Sequence, residues 1–385
     1  MKSVVVRKTK RLSSGHLWVF SNELVEKPTH FEPGELVELI NTQGEFLAMA
    51  YINPHSLIAA RILSRQRIKI DADFLNQRLT DAIAFRKRLY GNTDSGRLVF
   101  AESDGLPGLI IDRYADTVVI QSTTAGMDRL LDPVVETVNK LLSPRCIVLR
   151  NDTTIRRLEG VAESKRILKG ELQPLAVIDE AGVQFEIDCW EGQKTGFFMD
   201  QRENRIAFAN LVSTGDGLDL CSNMGAWAIH MAKKGVKVKC IDIAQRAIEQ
   251  VNRQAELNGL SNRIQAECAN VFDHLKQTAA QSHDYIVLDP PAFAKSKAKI
   301  RNALKAYQSI NGSAMSALKT GGLLATSSCS YHISLPDFIQ MLQQAAKASG
   351  VRTRIIEIRS QAKDHPSLLA MPETRYLKCV FLQRI

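Results

Sequence analysis

Two short apolar runs, each followed by chemically active residues, constrain the fold of this chain most strongly. Residues 285–288 lead into Asp289-Pro290-Pro291, and residues 323–326 lead into Ser327-Ser328-Cys329-Ser330. Such runs predict buried strands, and an open α/β sheet binds its ligands at the carboxyl ends of its strands. We therefore expect Asp289, on a loop stiffened by prolines, and the thiol of Cys329 to lie beside one pocket.

A cofactor signal lies upstream of these runs. Residues 217–221 predict a strand, 222–225 a tight loop and 226–234 a helix, and the next strand ends at Asp242. An acidic residue about 20 positions after such a turn is placed to bind ribose hydroxyls. Because only Gly225 matches the three glycines of a dinucleotide fingerprint, the pattern favours a ligand without phosphates. S-adenosylmethionine, an adenosine joined to an amino acid through a sulfonium, is such a ligand.

The patterning divides the chain into three parts, at 1–73, 74–172 and 173–385. The first is rich in strands, the second mixes strands with helices, and the third alternates them, which predicts a mainly parallel sheet. The predicted elements outside the cofactor region are strands at 36–40, 45–51, 57–63, 109–113, 117–121, 146–150 and 263–268, helices at 74–90, 127–142 and 244–257, and a charged linker at 163–171.

Several motifs together resemble the ribosomal RNA large-subunit cytosine-C5 methyltransferase family. They are the run at 194–202, the loop at 219–227, Asp289-Pro290-Pro291, Ser328-Cys329-Ser330, and the N-terminal segments at 15–20 and 102–108. The resemblance covers essentially the whole chain. It implies an α/β protein in which a PUA-type RNA-binding β-barrel precedes a central α/β domain and a Rossmann-like class I methyltransferase domain.

The resemblance also implies an activity, the formation of 5-methylcytidine in 23S ribosomal RNA with S-adenosylmethionine. Carbon 5 of a pyrimidine is a poor nucleophile, so the Cys329 thiolate would add to C6 and load electron density onto C5. After methyl transfer, a base removes the C5 proton and the thiolate leaves. Asp289 would orient the exocyclic group of the base. Many RNA cytosine-C5 methyltransferases carry a second cysteine where this chain has Pro291, which indicates a single-cysteine mechanism.

Further site residues follow from position and resemblance. We expect Gln201 and Arg202 at the methionine end of the cofactor, and Asn270 near the adenine amine with Asp273 as its alternative. Glu373 is a candidate general base. The full set of expected cofactor-binding residues is Gln201, Arg202, Asp219, Cys221, Gly225, Asp242, Asn270 and Asp289, with Cys221 as scaffolding in the loop.

Composition is consistent with an RNA partner. The net charge is +9 with a pI near 9.2, and an acid-free basic run after the Asp-Pro-Pro loop predicts phosphate contacts from Lys295, Lys297, Lys299 and Arg301. The seven cysteines are scattered without a Cys-x-x-Cys pair, which argues against a zinc site or disulfides and for a reducing cytoplasm. Glu102, Asp104 and Asp112 surround a turn and do not predict a metal site. No membrane span is expected, and a homodimer is left open.

Three other functions stay open at this point. Asp-Pro-Pro followed by an aromatic residue also suits an exocyclic-amine methyltransferase, which needs no cysteine. Uridine-C5 enzymes use the same single-cysteine chemistry. A non-catalytic RNA-binding ribosome assembly factor with a vestigial pocket is the alternative outside the enzymes, and the intact set of Asp219, Gly225, Asp242 and Asp289 argues against it.

Overall fold

The computed structural model describes residues 1–294 and 297–385, and of Lys297 only the backbone. The chain divides into two compact units. The first comprises Met1–Ile178, Glu186–Met199 and Lys363–Arg375, and the second comprises Asp179–Phe185, Asp200–Ala362 and Tyr376–Ile385. Within the described residues, we find no helix with the length and apolar character needed to cross a membrane. The three-part division at 1–73, 74–172 and 173–385 stays a prediction.

The regular elements are numbered along the chain. The strands are β1 (Lys2–Val5), β2 (Trp18–Val19), β3 (Glu35–Ile40), β4 (Phe46–Ile52), β5 (Ala60–Ser64), β6 (Ser95–Phe100), β7 (Leu109–Tyr114), β8 (Thr117–Ser122), β9 (Cys146–Arg150), β10 (Lys165–Lys169), β11 (Ala176–Glu180), β12 (Val183–Ile187), β13 (Gly215–Leu220), β14 (Val236–Asp242), β15 (Ile264–Cys268), β16 (His283–Leu288), β17 (Leu318–Ser328), β18 (Thr353–Arg359) and β19 (Lys378–Arg384). The α-helices are α1 (Lys10–Ser13), α2 (Ala72–Tyr90), α3 (Ala125–Arg129), α4 (Leu131–Leu142), α5 (Ile155–Leu158), α6 (Arg202–Ala209), α7 (Ala226–Lys233), α8 (Gln245–Leu257), α9 (Val271–Gln277), α10 (Ile300–Ala317) and α11 (Leu335–Ala348).

The first unit contains two five-stranded sheets. Their strand orders are β1-β3-β4-β5-β2 and β10-β9-β8-β7-β6. The predicted hairpin is confirmed, because β3 and β4 pair antiparallel across the turn at 41–45. The strand expected at 57–63 begins later, at Ala60, because the backbone of Asn53 bonds to Ala59 and closes a turn before it.

Two expectations for this unit are wrong. The charged linker at 163–171 contains β10, which pairs antiparallel with β9 at the sheet edge. Edge strands carry exposed charged side chains, so their composition imitates that of a linker. The single helix at 127–142 is two helices that meet at Leu130. Pro133 lies in the first turn of α4, where its missing N–H costs nothing, whereas inside one long helix it would break the hydrogen-bond ladder.

The acidic residues near the turn at 102–108 bind arginines. Arg61 contacts Glu102 at 3.0 Å, Arg86 contacts Asp104, and the guanidinium of Arg97 donates to both oxygens of Asp112 at 2.8 and 2.7 Å. Each carboxylate is therefore part of an ion pair. Across the described residues, no group of three or more His, Cys, Asp or Glu side chains could hold a metal ion.

The second unit is built on one seven-stranded sheet with the order β15-β14-β13-β16-β17-β19-β18. The first five strands are parallel, whereas β19 is antiparallel to both of its neighbours. The expectation of a mainly parallel sheet is therefore confirmed. The two apolar runs form neighbouring strands, with Leu288 of β16 opposite Thr326 of β17. Buried residues of α10 and α11, including Tyr307 and Phe338, pack in one core with these strands.

A buried ion cluster lies within the second unit. The guanidinium of Arg205 donates to both oxygens of Glu180 at 2.8 and 2.7 Å, and His230 contacts the same carboxylate at 3.0 Å. Burial raises the pKa of Glu180, but Arg205 and His230 outweigh burial and hold this pKa well below its usual range. Glu180 is therefore the anion that balances the buried cation of Arg205.

Replacing this anion should destabilise the protein. Glu180→Gln keeps the side-chain volume but leaves Arg205 as an uncompensated buried charge, so we expect a loss of about 3 kcal/mol or more in the free energy of unfolding. Urea titration followed by circular dichroism measures this loss. Glu249→Gln, at an exposed position of α8, is the control and should change the value by less than about 0.5 kcal/mol. Equal stabilities of the two variants would contradict the assignment.

Candidate active site

Asp289 lies directly after β16, at the carboxyl edge of the parallel strands. Its two carboxylate oxygens accept hydrogen bonds from Nε2 of Gln201, each at 3.0 Å. The same Nε2 lies 3.1 Å from Oγ of Ser327 in β17, and Oε1 of Gln201 accepts from Asn204 at 2.6 Å. Gln201 thus connects the ends of β16 and β17, and the structure brings two expected site residues into direct contact.

Trp227 is a site residue that the sequence analysis missed. Its indole Nε1 donates to Oδ2 of Asp289 at 3.2 Å, and the ring is buried. The signal was present in the sequence, because Trp227 is the second residue of the helix that follows the glycine loop. In an apolar helix, however, a tryptophan is typical of a core position. With Gln201 and Trp227 as donors, Asp289 is held in one orientation.

The Cys329 segment follows β17 and is fixed by hydroxyl groups. Ser328 and Ser330 are both buried. The Ser328 hydroxyl donates to the Tyr307 hydroxyl at 3.1 Å, and the Ser330 hydroxyl lies 3.1 Å from the same oxygen. Cys329 between them is half-buried. The two small hydroxyl residues thereby anchor the turn on α10 while the thiol position remains partly accessible.

Phe293, the aromatic residue after the Asp-Pro-Pro loop, packs inward. Its ring centroid lies 4.6 Å from that of Tyr307 and 6.3 Å from that of Phe272. Both distances lie in the range of stabilising aromatic pairs. The ring therefore contributes to the packing beneath the loop, and this contact also positions Tyr307 against the Cys329 segment.

Lys378 was also missed. It is the first residue of β19 and is paired with Ser328 of β17. Its Nζ donates to the carbonyl oxygens of Ser330 at 2.7 Å and of Tyr376 at 2.8 Å. The sequence gives no local signal for this lysine, because β19 reaches the site only through antiparallel pairing at the end of the chain.

The glycine loop between β13 and α7 has a strained backbone. Cys221, Asn223 and Gly225 all have positive φ, at 62, 50 and 78°. At Gly225 a Cβ would lie 3.2 Å from the Val251 side chain, so both backbone and space favour glycine. Strain of this kind is typical of ligand-binding loops and persists only where the surroundings enforce it.

Asp242 holds this loop in place. Its Oδ2 accepts from the backbone N–H of Asn223 at 2.9 Å, and its Oδ1 accepts from the N–H of Ala244 at 3.0 Å. A carboxylate oxygen can accept more than one hydrogen bond. Asp242 can therefore order the loop and still bind hydroxyl groups of a ligand.

Asp219, at the floor of the site, is completely buried. Its Oδ2 accepts from the N–H of Ala228 at 3.1 Å, whereas Oδ1 has no hydrogen-bond partner among the described residues. The pKa of Asp219 is raised to about 8, chiefly by burial. The hydrogen bond from Ala228 lowers this pKa, and the nearby carboxylates of Asp289 and Asp242 add to the rise. A cationic ligand would relieve this concentration of acids. The residues therefore fit S-adenosylmethionine, which carries positive charge on its sulfonium and amino groups.

The other expected cofactor residues have distinct surroundings. Burial, followed by the charge of Asp242, raises the pKa of Cys221 to about 12, so this thiol stays protonated, as expected of scaffolding. Nε of Arg202 lies 3.5 Å from Glu180, within the buried ion cluster. Oδ1 of Asn270 accepts from the N–H groups of Phe272 and Asp273 and caps α9.

The remaining candidates are the basic run and Glu373. Lys295 is outside the described residues, and so is the side chain of Lys297, while Lys299 and Arg301 are exposed at the start of α10. Glu373 belongs to the first unit, where its Oε2 lies 3.4 Å from Nε2 of His16.

Comparison with known proteins bears on the fold and on the family. A PUA-like domain model matches residues 5–65, and a methyltransferase small domain model matches residues 204–352. The ribosomal RNA large subunit methyltransferase I of Vibrio cholerae is 36% identical, with 97% of each chain covered. That of Alteromonas mediterranea is 33% identical, covering 96% of this chain and 95% of the relative. A crystal structure of a methyltransferase complexed with S-adenosylhomocysteine has a TM-score of 0.87 over 100% of both chains at 20% identity.

Fold and site together define an S-adenosylmethionine-dependent methyltransferase with a Rossmann-like catalytic domain and an N-terminal PUA-like domain. The expected fold class and cofactor are thereby confirmed. More narrowly, the chain belongs to the ribosomal RNA large subunit methyltransferase I family.

The buried acid predicts that cofactor binding depends on pH. Since the pKa of Asp219 is raised to about 8, the group is mainly protonated at pH 6.5, and a bound cation favours its ionised form. We expect S-adenosylmethionine to bind more tightly as pH rises from 6.5 to 8.5, by up to about tenfold per unit, with release of a proton. Calorimetry in buffers of different ionisation enthalpy measures both quantities. Asp219→Asn removes the titrating group and should flatten the profile, and a flat profile in the unaltered protein would contradict the role of Asp219.

Proposed function

We propose that this protein forms 5-methylcytidine in 23S ribosomal RNA, with Cys329 as the nucleophile and Asp289 as the residue that orients the base. One observation carries the proposal: Asp289 and the Cys329 segment extend from the ends of the adjacent parallel strands β16 and β17, and Gln201 bridges these ends. A pyrimidine beside both strand ends would have a carboxylate near its edge and a thiol near its ring face.

The carboxylate of Asp289 suits cytosine better than uracil. Cytosine presents an exocyclic N4 amine that can donate to a carboxylate, whereas uracil presents the acceptor O4 at the same position. Gln201 and Trp227 hold Asp289 from the protein side. A carboxylate oxygen can accept more than one hydrogen bond, so Asp289 can also accept from the base. The choice of cytosine over uracil also rests on the resemblance of the sequence motifs to those of the cytosine-C5 methyltransferase family.

In the proposed reaction Cys329 adds to C6 of the base, which raises the nucleophilicity of C5. S-adenosylmethionine supplies the methyl group as an electrophile on its positively charged sulfur. Asp219 and Asp289 provide negative charge for this ligand, Asp242 binds the ribose, and the Gly225 loop with Cys221 shapes its pocket. Gln201 and Arg202 remain our candidates for the methionine end, and Asn270 for the adenine.

For the RNA we propose contacts to the PUA-like domain and to the basic residues Lys295, Lys297, Lys299 and Arg301 next to the Asp-Pro-Pro loop. Neutralising phosphates releases counterions, which makes such binding sensitive to salt. The target base must leave its stack, because stacking blocks the approach to both faces of the ring. The homodimer that the sequence leaves open stays a prediction, which light scattering would test.

Removing the thiol tests the nucleophile. We expect Cys329→Ala to lower methyl transfer by at least about a hundredfold, because C5 is no longer activated, while the affinity for S-adenosylhomocysteine stays within a few fold. Transfer of labelled methyl groups to ribosomal RNA and calorimetry measure the two quantities. Cys268→Ala, at an exposed cysteine, is the matched control with full activity. Substantial turnover by Cys329→Ala would exclude the nucleophilic role and favour an exocyclic-amine methyltransferase.

Product analysis tests the base. Incubating the enzyme with labelled cofactor and unmodified 23S ribosomal RNA, followed by digestion to nucleosides, should place the label in 5-methylcytidine. Label in 5-methyluridine would overturn the choice of base but keep the chemistry. Label in N6-methyladenosine would overturn both, and RNA binding without any label would favour an assembly factor.

A further inference from the structure

Lys378 is a buried lysine that has no role in the reaction proposed above. It is only 7% exposed, and lysines are almost never fully buried without a partner. Two of the three ammonium protons are directed at the carbonyl oxygens of Ser330 and Tyr376. Neither acceptor is a carboxylate, so the positive charge of Lys378 is solvated by backbone dipoles and available to another anion.

The strand register brings this charge to Cys329. Lys378 is opposite Ser328, the residue before the cysteine, and its Nζ binds the carbonyl of Ser330, the residue after it. The two contacts therefore lie on either side of Cys329 in the chain. Consistent with this placement, Lys378 and Cys329 interact electrostatically: burial lowers the pKa of Lys378 to about 8, and the charge of Cys329 acts in the opposite direction.

We propose that the ammonium group of Lys378 stabilises Cys329 as a thiolate. When the S–H bond breaks, its proton passes to solvent water, and the charge of the pair falls from +1 to zero as a thiolate–ammonium ion pair forms. The carbonyl groups of Ser330 and Tyr376 favour the charged form of the lysine. The inference rests on the proposed function, in which Cys329 is the nucleophile, and Lys378 is a positioning residue that acts through it.

Two neighbouring titratable groups stay neutral near pH 7. Tyr307 of α10 also faces Cys329, and burial raises its pKa above the ordinary value, so the phenol stays neutral. From β19 itself, Cys379 is completely buried, and burial raises the pKa of its thiol to about 12. An ordinary thiol with a pKa of about 8.5 is largely protonated at pH 7. A nearby cation is therefore needed to favour the thiolate.

The reactivity of Cys329 toward iodoacetamide, measured without cofactor or RNA, tests the pair. The full-length protein is alkylated between pH 5.5 and 9.5, and peptide mass spectrometry gives the rate at Cys329. In Lys378→Met we expect this rate to fall at least about tenfold at pH 7 and the midpoint of its pH profile to move up by at least about one unit. The exposed Cys268 serves as an internal reference in every sample, and Lys347→Met at an exposed lysine of α11 is the control.

A second variant separates charge from packing. Lys378→Arg keeps a positive charge that attracts the thiolate, so its Cys329 profile should stay close to that of the unaltered protein, whereas a purely structural lysine would make both variants behave alike. If Lys378→Met does not fold, the inference is tested by comparing the alkylation midpoints of Cys329 and Cys268 in the unaltered protein. A Cys329 midpoint no lower than that of Cys268 overturns the inference.

The inference and the proposed function can fail separately. An unchanged Cys329 profile in folded Lys378→Met overturns the pairing, even if Cys329→Ala is inactive. Conversely, methyl transfer by Cys329→Ala overturns the nucleophile, whatever the alkylation profile shows. When both hold, the pH dependence of kcat/KM should shift to higher pH in Lys378→Met, in parallel with the alkylation profile.

Discussion

The backbone hydrogen bonding of β17 is the constraint on which the site depends. On one side β17 is parallel to β16, which sets the Asp289 loop beside it, and on the other it is antiparallel to β19, which sets Lys378 beside Ser328. A shift of one residue in either pairing would turn every side chain of the strand to the opposite face. Register therefore fixes the relative positions of the carboxylate, the thiol segment and the lysine before any side-chain contact forms.

Around this strand, two acids have defined partners, whereas a third has an oxygen without one among the described residues. Asp289 is bound by Gln201 and Trp227, and Glu180 is bound by Arg205. Asp219 alone among these acids has a buried oxygen with no partner in the described residues. A group left in this state costs stability, and the strained loop above it adds to that cost. Binding of a cation would recover part of it, which is the reason to place the cofactor there.

The sequence predicted the parts of this site that depend on local pattern and parallel topology. The apolar runs before Asp289 and Cys329 became β16 and β17, and because the ends of parallel strands meet at one edge, their proximity followed. Trp227 and Lys378 could not be found in this way. The first is indistinguishable from a core residue of α7, and the second depends on an antiparallel pairing across about fifty residues of chain. For the same reason the edge strand β10 was mistaken for a linker, since its charged composition carries no sign of its partner β9.

Two cysteines at strand ends of the same sheet interact with charges of different sign. This difference supports their separate roles in the proposed reaction. Cys221 follows β13, where burial and the charges of Asp242, Asp289 and Asp219 all raise its thiol pKa. Cys329 follows β17, where the positive charge of Lys378 interacts with it. Both strands flank β16, so the acids concentrate toward β13 and β14 and the lysine lies toward β19. A cationic cofactor is favoured on the first side, and a thiolate on the second. In the proposed reaction, the sheet order therefore separates the electrophile from the nucleophile across the width of one strand.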